Sequence, residues 1–362
     1  MTPAPTHTML PTPNSWYAVA FSDELKAGGV LARTVAERDL VVFRTASGVA
    51  CAFDAYCPHL GAHLGIGGKV VGETLRCPFH AFRYDTAGVC VATGYGTKPP
   101  PTARAGVWPI REVDGIVFVY YDCLGRQPTW EPPALETAGW TPLIHRVFDL
   151  HDHAQETVEN SVDLGHFAIV HGYSEMTERG EPVIEGARFQ TAYSAGRPAP
   201  VLGRFGATVR FDFAIDLYGL GCSIVTIGVP TYDVTARLFV LATPTVKERI
   251  NLALAVSLRE IEDPARMHPL ARLLPRRLLQ GVIARIIHQN IIHDARQDFV
   301  IWEHKRYTQP PALAQGDGPI GKFRVWARQF YAQPDVVAAP FDELAQERAP
   351  IAQSDVMAAP AD

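Results

Sequence analysis

Positive charge is in short supply. The chain carries 33 Lys and Arg against 38 Asp and Glu, a formal −5, so its overall balance gives no reason to expect nucleic acid or an anionic membrane as partner. Long apolar runs are missing as well, none reaching the roughly 18 residues that suggest a membrane span. The opening MTPAPTHTMLPTPNSW lacks the positive start and apolar stretch of a secretory signal, and a soluble cytoplasmic protein is expected. Cysteine is scarce, six in 362 residues. Four of them (Cys51, Cys90, Cys123 and Cys222) are scattered without a disulfide-like framework and read as buried free thiols. No glycine-rich flavin or nicotinamide fingerprint occurs; Gly65-Ile-Gly67 is too short to carry one. No internal repeat is visible. What remains is an ordinary globular composition, 47% hydrophobic and 20% charged, in a chain long enough for two domains.

The remaining two cysteines stand in matched loops. CPHLGAHLG and CPFHAFRYD give Cys57-Pro-His59 and, after seventeen residues, Cys77-Pro-Phe-His80. Two sulfur and two nitrogen donors suit either tetrahedral zinc or a [2Fe–2S] cluster with one iron on thiolates and the other on imidazoles. Zinc fingers of two Cys and two His take both thiolates from one loop, whereas here each loop supplies one of each. Proline after each Cys, with Gly61, Gly65, Gly67 and Gly68, suits tight turns that bring backbone N–H groups toward sulfur. In this interleaving the chain resembles a Rieske domain, which implies a [2Fe–2S] cluster held by Cys57, His59, Cys77 and His80.

From Trp16 to about Asp122, short apolar runs such as LVVFRT, VACAFDAY and GIVFVYY alternate with Gly, Pro and Asp, the pattern of an antiparallel β domain with the cluster loops at one end. Residues 128–142 read as a linker. Beyond it come a helix near 154–171, strands through about 200–256, then further helices. The expected fold class is α+β, an N-terminal antiparallel β Rieske domain (15–122) and a catalytic domain (123–337) with an antiparallel sheet flanked by helices. Residues 1–14 and 338–362 read as flexible ends.

A second constellation lies on the 154–171 helix, ENSVDLGHFAIVH. Asn160, Asp163 and His166 fall at i, i+3 and i+6 and share a broad helical face. His171 stands about 140° further round from His166. Both can ligate one metal only if the helix distorts or ends early, which Gly165 would ease. The bare pair is more often structural than a metal site. Beside the first motif, however, E-N-x-x-D-x-x-H-x4-H resembles the mononuclear-iron motif of Rieske non-haem iron oxygenases.

That resemblance covers about Trp16 to Tyr331. It implies that His166 and His171 bind Fe(II) and that a downstream Asp, a few residues before an Ile-Trp pair, is the third ligand. In IIHDARQDFVIWEHKRY this selects Asp298, with Asp294 the runner-up and Glu303 behind it; His288 and His293 match no ligand position. It also implies that Asp163 bridges His80 of one subunit to His166 of the next, in a head-to-tail ring, typically a homotrimer. Asn160 would sit near the iron. The run IWEHKRYTQPPALAQGDGPIGKFRVWARQFY resembles the 3-ketosteroid 9α-hydroxylase oxygenase components and the Neverland-type cholesterol 7-desaturases. One departure is Phe82, where the family often has Trp; it keeps an apolar shield but has no indole N–H.

The activity implied is that of an oxygenase component, an oxidoreductase that activates O2 to hydroxylate or desaturate an apolar ring substrate, steroid or sterol. Its electrons would come from NAD(P)H through a separate reductase or ferredoxin. Pocket walls are expected from strands at 205–256 and from LLQGVIARII (278–287), and no nucleic-acid partner is expected. Two rivals stand beside this reading: a Rieske oxygenase acting on an aromatic or natural-product substrate, and a non-catalytic Rieske electron carrier. The carrier needs only residues 16–122 and leaves the second constellation unexplained. RLLPRRLLQG (272–281), with Arg272, Arg276 and Arg277, reads as a solvated helix face, with contact to a membrane as the alternative.

Overall fold

A computed structural model describes residues 10–198, 208–267, 271 and 273–332. Arg272, the stretch near 200 expected to open a strand, and the tail from 338 lie outside these residues.

The first third builds three small antiparallel sheets. Strands β1 (Ser15–Phe21), β2 (Val30–Val35), β3 (Arg38–Arg44) and β4 (Ala50–Asp54) come first. They are followed by β5 (Lys69–Val71), β6 (Thr74–Arg76), β7 (Arg83–Tyr84), β8 (Cys90–Ala92), β9 (Ile110–Val113) and β10 (Ile116–Tyr121). The sheets run β1-β10-β9, β2-β3-β4 and β5-β6-β7-β8. In β3, Leu40 to Phe43 are all fully buried. Such a run, rather than an alternating one, marks a strand covered on both faces.

The later part is organised by one antiparallel sheet. Its strands are β11 (Ile144–Leu150), β12 (Ser174–Glu178), β13 (Val183–Glu185), β14 (Arg188–Pro198), β15 (Thr208–Tyr218), β16 (Cys222–Val229), β17 (Val234–Pro244) and β18 (Ile250–Leu258). They run in the order β11-β18-β17-β16-β15-β14-β12, with β13 on β14. Four of these strands precede the region where strands were expected. β12 and β13 escape a hydrophobicity reading because nearly every residue in them is exposed. They are held by main-chain pairing to β14 rather than by burial.

Four α-helices stand among the described residues: α1 (Ala154–Asn160), α2 (Leu164–Ile169), α3 (Arg276–Trp302) and α4 (Ile320–Ala327). The single helix expected over 154–171 is therefore two, interrupted at Ser161–Asp163. Asp163 sits at φ −83°, ψ 105° and its carboxylate accepts from the N–H of His166, a side-chain cap that starts a new helix instead of continuing the old one. Two further expectations change. Residues 10–14 are seated, with Asn14 bonded to Phe330 through its N–H and to the Cys123 N–H through its side chain. Cys123 is exposed, while Cys51, Cys90 and Cys222 are buried.

The early sheets and the large one share a core. Tyr17, Val19, Leu40 and Val117 pack in one cluster with Leu150, Leu252, Ile292, Phe299 and Trp302. The segment read as a linker is stitched to the early sheets as well, Trp130 O accepting from Trp16 Nε1 at 2.8 Å and the Leu135 N–H donating to Asp114 at 2.9 Å.

Candidate metal centres

Cys57 lies in the loop after β4, and Cys77 to Ala81 form the turn between β6 and β7. Each loop is closed by its own backbone bonds: Cys57 N to Ala62 O at 2.9 Å, Gly61 N to Cys57 O at 2.9 Å, and Cys77 N to Phe82 O at 2.8 Å. Gly61 turns at φ +73° and Ala81 at φ +56°. Both cysteines are 2% exposed. Burial raises the pKa of the Cys77 thiol, against backbone N–H groups of Phe79 and His80 that favour its anion. The Tyr84 hydroxyl stands 3.0 Å from Cys57 Sγ. The two imidazoles lie further out, with ring centroids 4.8 Å apart at 78°. Phe82 is buried and stacks flat on His59, 4.2 Å centroid to centroid at 8°. It therefore gives the apolar cover that an indole would, without a donor. Two buried sulfurs beneath two outward imidazoles are a donor set that fits a [2Fe–2S] cluster with mixed ligation.

The second site draws on three elements. His166 lies in α2, His171 just beyond it, and Asp298 near the end of α3. Their donor atoms all fall within 4.8 Å of one another, with His171 Nε2 3.3 Å from Asp298 Oδ2. The helix solves the angular problem by ending early: α2 stops at Ile169, and Gly172 at φ +69° turns the chain back. His166 Nδ1–H donates to the carbonyl of Asp163 at 2.6 Å, leaving Nε2 for a ligand role. His171 Nδ1 faces Gln297 Oε1 at 3.4 Å. Gln297 was not singled out from sequence; its place directly before Asp298 on a helix facing the histidines was the available signal. Two histidines and one carboxylate, at 6–10% side-chain exposure, fit a mononuclear metal.

Electrostatics favour charge at this site. Burial works against a charged His171, yet the Asp298 carboxylate beside it, with Asp294 further off, pushes its pKa up overall. Burial likewise opposes ionised Asp163, but hydrogen bonding and charge at His166 hold its pKa below the usual carboxylate range. Asp163 Oδ1 caps the His166 N–H at 3.2 Å and lies 3.9 Å from Nδ1. The Asn160 amide donates to His166 Nε2 at 3.2 Å. Asp294 is spoken for, in a two-point pair with Arg197 at 2.8 and 3.1 Å. His288 Nε2 binds the Leu254 carbonyl at 3.2 Å. Glu303 is exposed beyond the end of α3.

Aromatic rings wall the triad. Phe167 lies 4.2 Å from the His166 ring and 5.9 Å from Phe213, and Tyr173 packs edge-on against Phe211 and Phe213. The stretch 278–287, expected as a pocket wall, ends about 16 Å before Asp298 along α3. Its buried residues, Leu279, Ile283 and Ala284, fill a separate core with Val234, Leu258 and Ile261.

The chain matches two families in tandem: residues 15–102 the Rieske [2Fe-2S] domain, and residues 119–331 the 3-ketosteroid 9alpha-hydroxylase C-terminal domain. The chain is a Rieske oxygenase of the 3-ketosteroid 9α-hydroxylase group. As such it is an oxidoreductase, an oxygenase component built around a [2Fe–2S] cluster and served by a separate electron donor. Over 340 residues it is 32% identical to the cholesterol 7-desaturase of Bombyx mori, covering 89% of this chain and 70% of that protein. It is 30% identical to a probable 3-ketosteroid-9-alpha-monooxygenase oxygenase component of Rhodococcus rhodochrous, covering 81% and 73%. Among solved structures, NdmA of Pseudomonas putida with caffeine superposes at a TM-score of 0.67 and 20% identity, covering 86% of this chain and 89% of that one. Dicamba monooxygenase superposes at 0.62 and 20%, covering 88% and 97%. These two share the fold of this Rieske oxygenase.

Proposed function

We propose that this oxygenase hydroxylates or desaturates a steroid or sterol ring, with the cluster on Cys57, His59, Cys77 and His80 and ferrous iron on His166, His171 and Asp298. The observation that carries the reading is the convergence of those last three donors inside an aromatic-walled, largely buried site. When bound, the two metal centres supply single electrons and the activation of O2 against a C–H bond.

The chain's own residues do the rest. Asp163 O and Gln297 hold the two imidazoles through their Nδ1–H groups, so each Nε2 points inward without further rearrangement. Nε2 of His166 has one lone pair, which the Asn160 amide now takes; with Nε2 serving as a ligand, the Asn160 N–H would be free for the pocket. Phe167, Phe213 and Tyr173 keep water from the site and suit an apolar ring system.

Asp163 is the proposed bridge between subunits of a homotrimer. Its side chain is 32% exposed, and Ile169 on the same helix is 86% exposed. Exposed Phe79 and Tyr95 lie 3.8 and 6.0 Å from the His80 ring, and Leu60, next to His59 in the chain, is 65% exposed, an apolar edge of the kind one subunit offers another. Among the described residues, no hydrogen bond, ion pair or ring contact joins the cluster loops to the triad of the same chain.

Purified, reconstituted enzyme given a panel of 3-ketosteroids and sterols with a reductase and NAD(P)H tests the reading. An oxidised or desaturated ring product and about three irons per chain are expected. About two irons per chain, or turnover confined to aromatic substrates, would overturn it.

A further inference from the structure

The first half of α3 is apolar on two faces. One is buried, with Leu279, Ile283 and Ala284 against the large sheet. The other is open: Leu278, Val282 and Ile286, spaced i, i+4, i+8, are 56%, 44% and 55% exposed. Leu273 and Leu274, just before the helix, extend the stripe at 79% and 48%. Its length along the helix from Leu278 to Ile286 is about 12 Å.

Charge around this face is one-sided. From residue 264 to residue 293 the sequence holds Arg266, Arg272, Arg276, Arg277 and Arg285 and neither Asp nor Glu, in a chain of net −5. Arg266 and Arg276 reach outlying carboxylates, Asp233 and Glu260, each at 3.6 Å. Arg277 and Arg285 are exposed and pair with no carboxylate among the described residues; Arg285 only donates to the Gly281 carbonyl on its own helix. By the 100° step of the helix, Arg285 borders the apolar stripe and Arg277 lies next round on the same side.

We infer that this face docks on an anionic lipid surface, with α3 lying in the interface, its leucine, valine and isoleucine side chains in the acyl boundary and its arginines at the headgroups. An apolar stripe bordered by unpaired arginines is the composition such surfaces attract. A second copy of the chain fits less well, because a two-fold contact of this face with itself sets Arg277 and Arg285 against their own counterparts. No helix of the described residues is long and apolar enough to cross a membrane, so the contact is peripheral. The docking rests on the proposed function only for its purpose, drawing an apolar ring substrate from a bilayer. Because the test below contains no substrate, failure of the docking and failure of the substrate reading are told apart.

The test is co-sedimentation of the full-length, metal-loaded protein with phosphatidylcholine vesicles and with vesicles containing phosphatidylglycerol, at low and high salt. Leu278→Asp/Ile286→Asp and Arg277→Glu/Arg285→Glu are the paired variants. Binding to the anionic vesicles is expected, weakened by salt, and reduced about tenfold or more by either pair. Cluster absorbance and native mass should match the wild type, showing that the variants fold. Equal binding to both vesicle types, no binding at low salt, or variants that bind like the wild type would each overturn the inference. So would a change in oligomeric mass in the variants without vesicle binding by the wild type, since a second copy would then cover the face.

Discussion

At the scale of single residues, the separation of Asp298 from Asp294 is the sharpest result. Four residues apart on one helix, both are acids within reach of the histidines in sequence terms. Asp294 is committed to Arg197 by two hydrogen bonds, and that guanidinium lies over the Tyr173 ring at 5.1 Å. Asp298 is 8% exposed and meets His171 Nε2 directly. Asp298→Asn is therefore expected to lower affinity for the mononuclear iron more than about 100-fold, and Asp294→Asn about tenfold or less. Titrating ferrous iron into cluster-loaded protein from which the mononuclear iron has been removed measures both; equal losses would reverse the assignment. The Cys–His spacing was legible because ligand type and order are chemical facts of the chain. Gln297 and the Tyr84 hydroxyl were not, since each matters only through the atom it faces after folding.

At the scale of elements, the break between α1 and α2 does the most for the site. Two short helices let Asn160, His166 and His171 converge, which one straight helix over 154–171 would not. The sequence announced the difficulty through the five-residue spacing of the histidines. It did not disclose the solution, because a capping Asp and a helical Asp look alike until the backbone at Ser161–Asp163 is known. α1 is itself capped by a titratable group: His153 Nδ1 accepts from the Gln155 N–H and Nε2–H donates to the Pro11 carbonyl. Burial pushes the pKa of His153 down to about 4 from 6.5. In that window the unfolded chain binds the extra proton and the folded one does not. Stability present above pH about 6.5 is thus lost as pH falls toward 4, by about 3 kcal/mol. Neighbouring Asp152, raised by burial to about 6, acts in the opposite sense, its folded form gaining relative stability as pH falls. The clean measurement is accordingly a difference. Between pH 7 and 4, His153→Asn, which keeps an acceptor without titrating, should lose less melting temperature than the wild type. Parallel curves would assign the cap no pH role.

At the scale of the whole molecule, the proposed ring makes a prediction that no single chain can satisfy. With the proposed ligand sets, Cys57→Ser should disable the cluster and leave the iron site, and Asp298→Asn should do the reverse. Each alone should be inactive. Co-refolded at random, they should regain about a quarter of wild-type activity, since half the donors and half the acceptors at each junction are sound. A mixture as inactive as its parts would place electron transfer within one chain. Adding Asp163→Ala to the Cys57→Ser chain should abolish the recovery while native mass is kept. The large architecture was readable from LVVFRT-like runs and from the long β15–β18 strands, whose burial leaves its mark in composition. The pairing of β12 and β13 was not, because exposed strands are selected by main-chain partners rather than by side-chain character.

The shared core around Phe299 and Trp302 also has a mechanical consequence. Both residues sit at the C-terminal end of α3 and are buried against Tyr17, Val19 and Leu150, whereas Leu278 lies at the other end. The helix is thus packed along its length, at the other end by Leu279, Ile283 and Ala284, with about 6 Å from Trp302 to Asp298 and about 36 Å from Trp302 to Leu278. A 3 Å swing of the outer end would carry Asp298 only about 0.5 Å if the helix moves as a rod. A push at Leu278 that tilted the whole helix would therefore reach Asp298 reduced about sixfold.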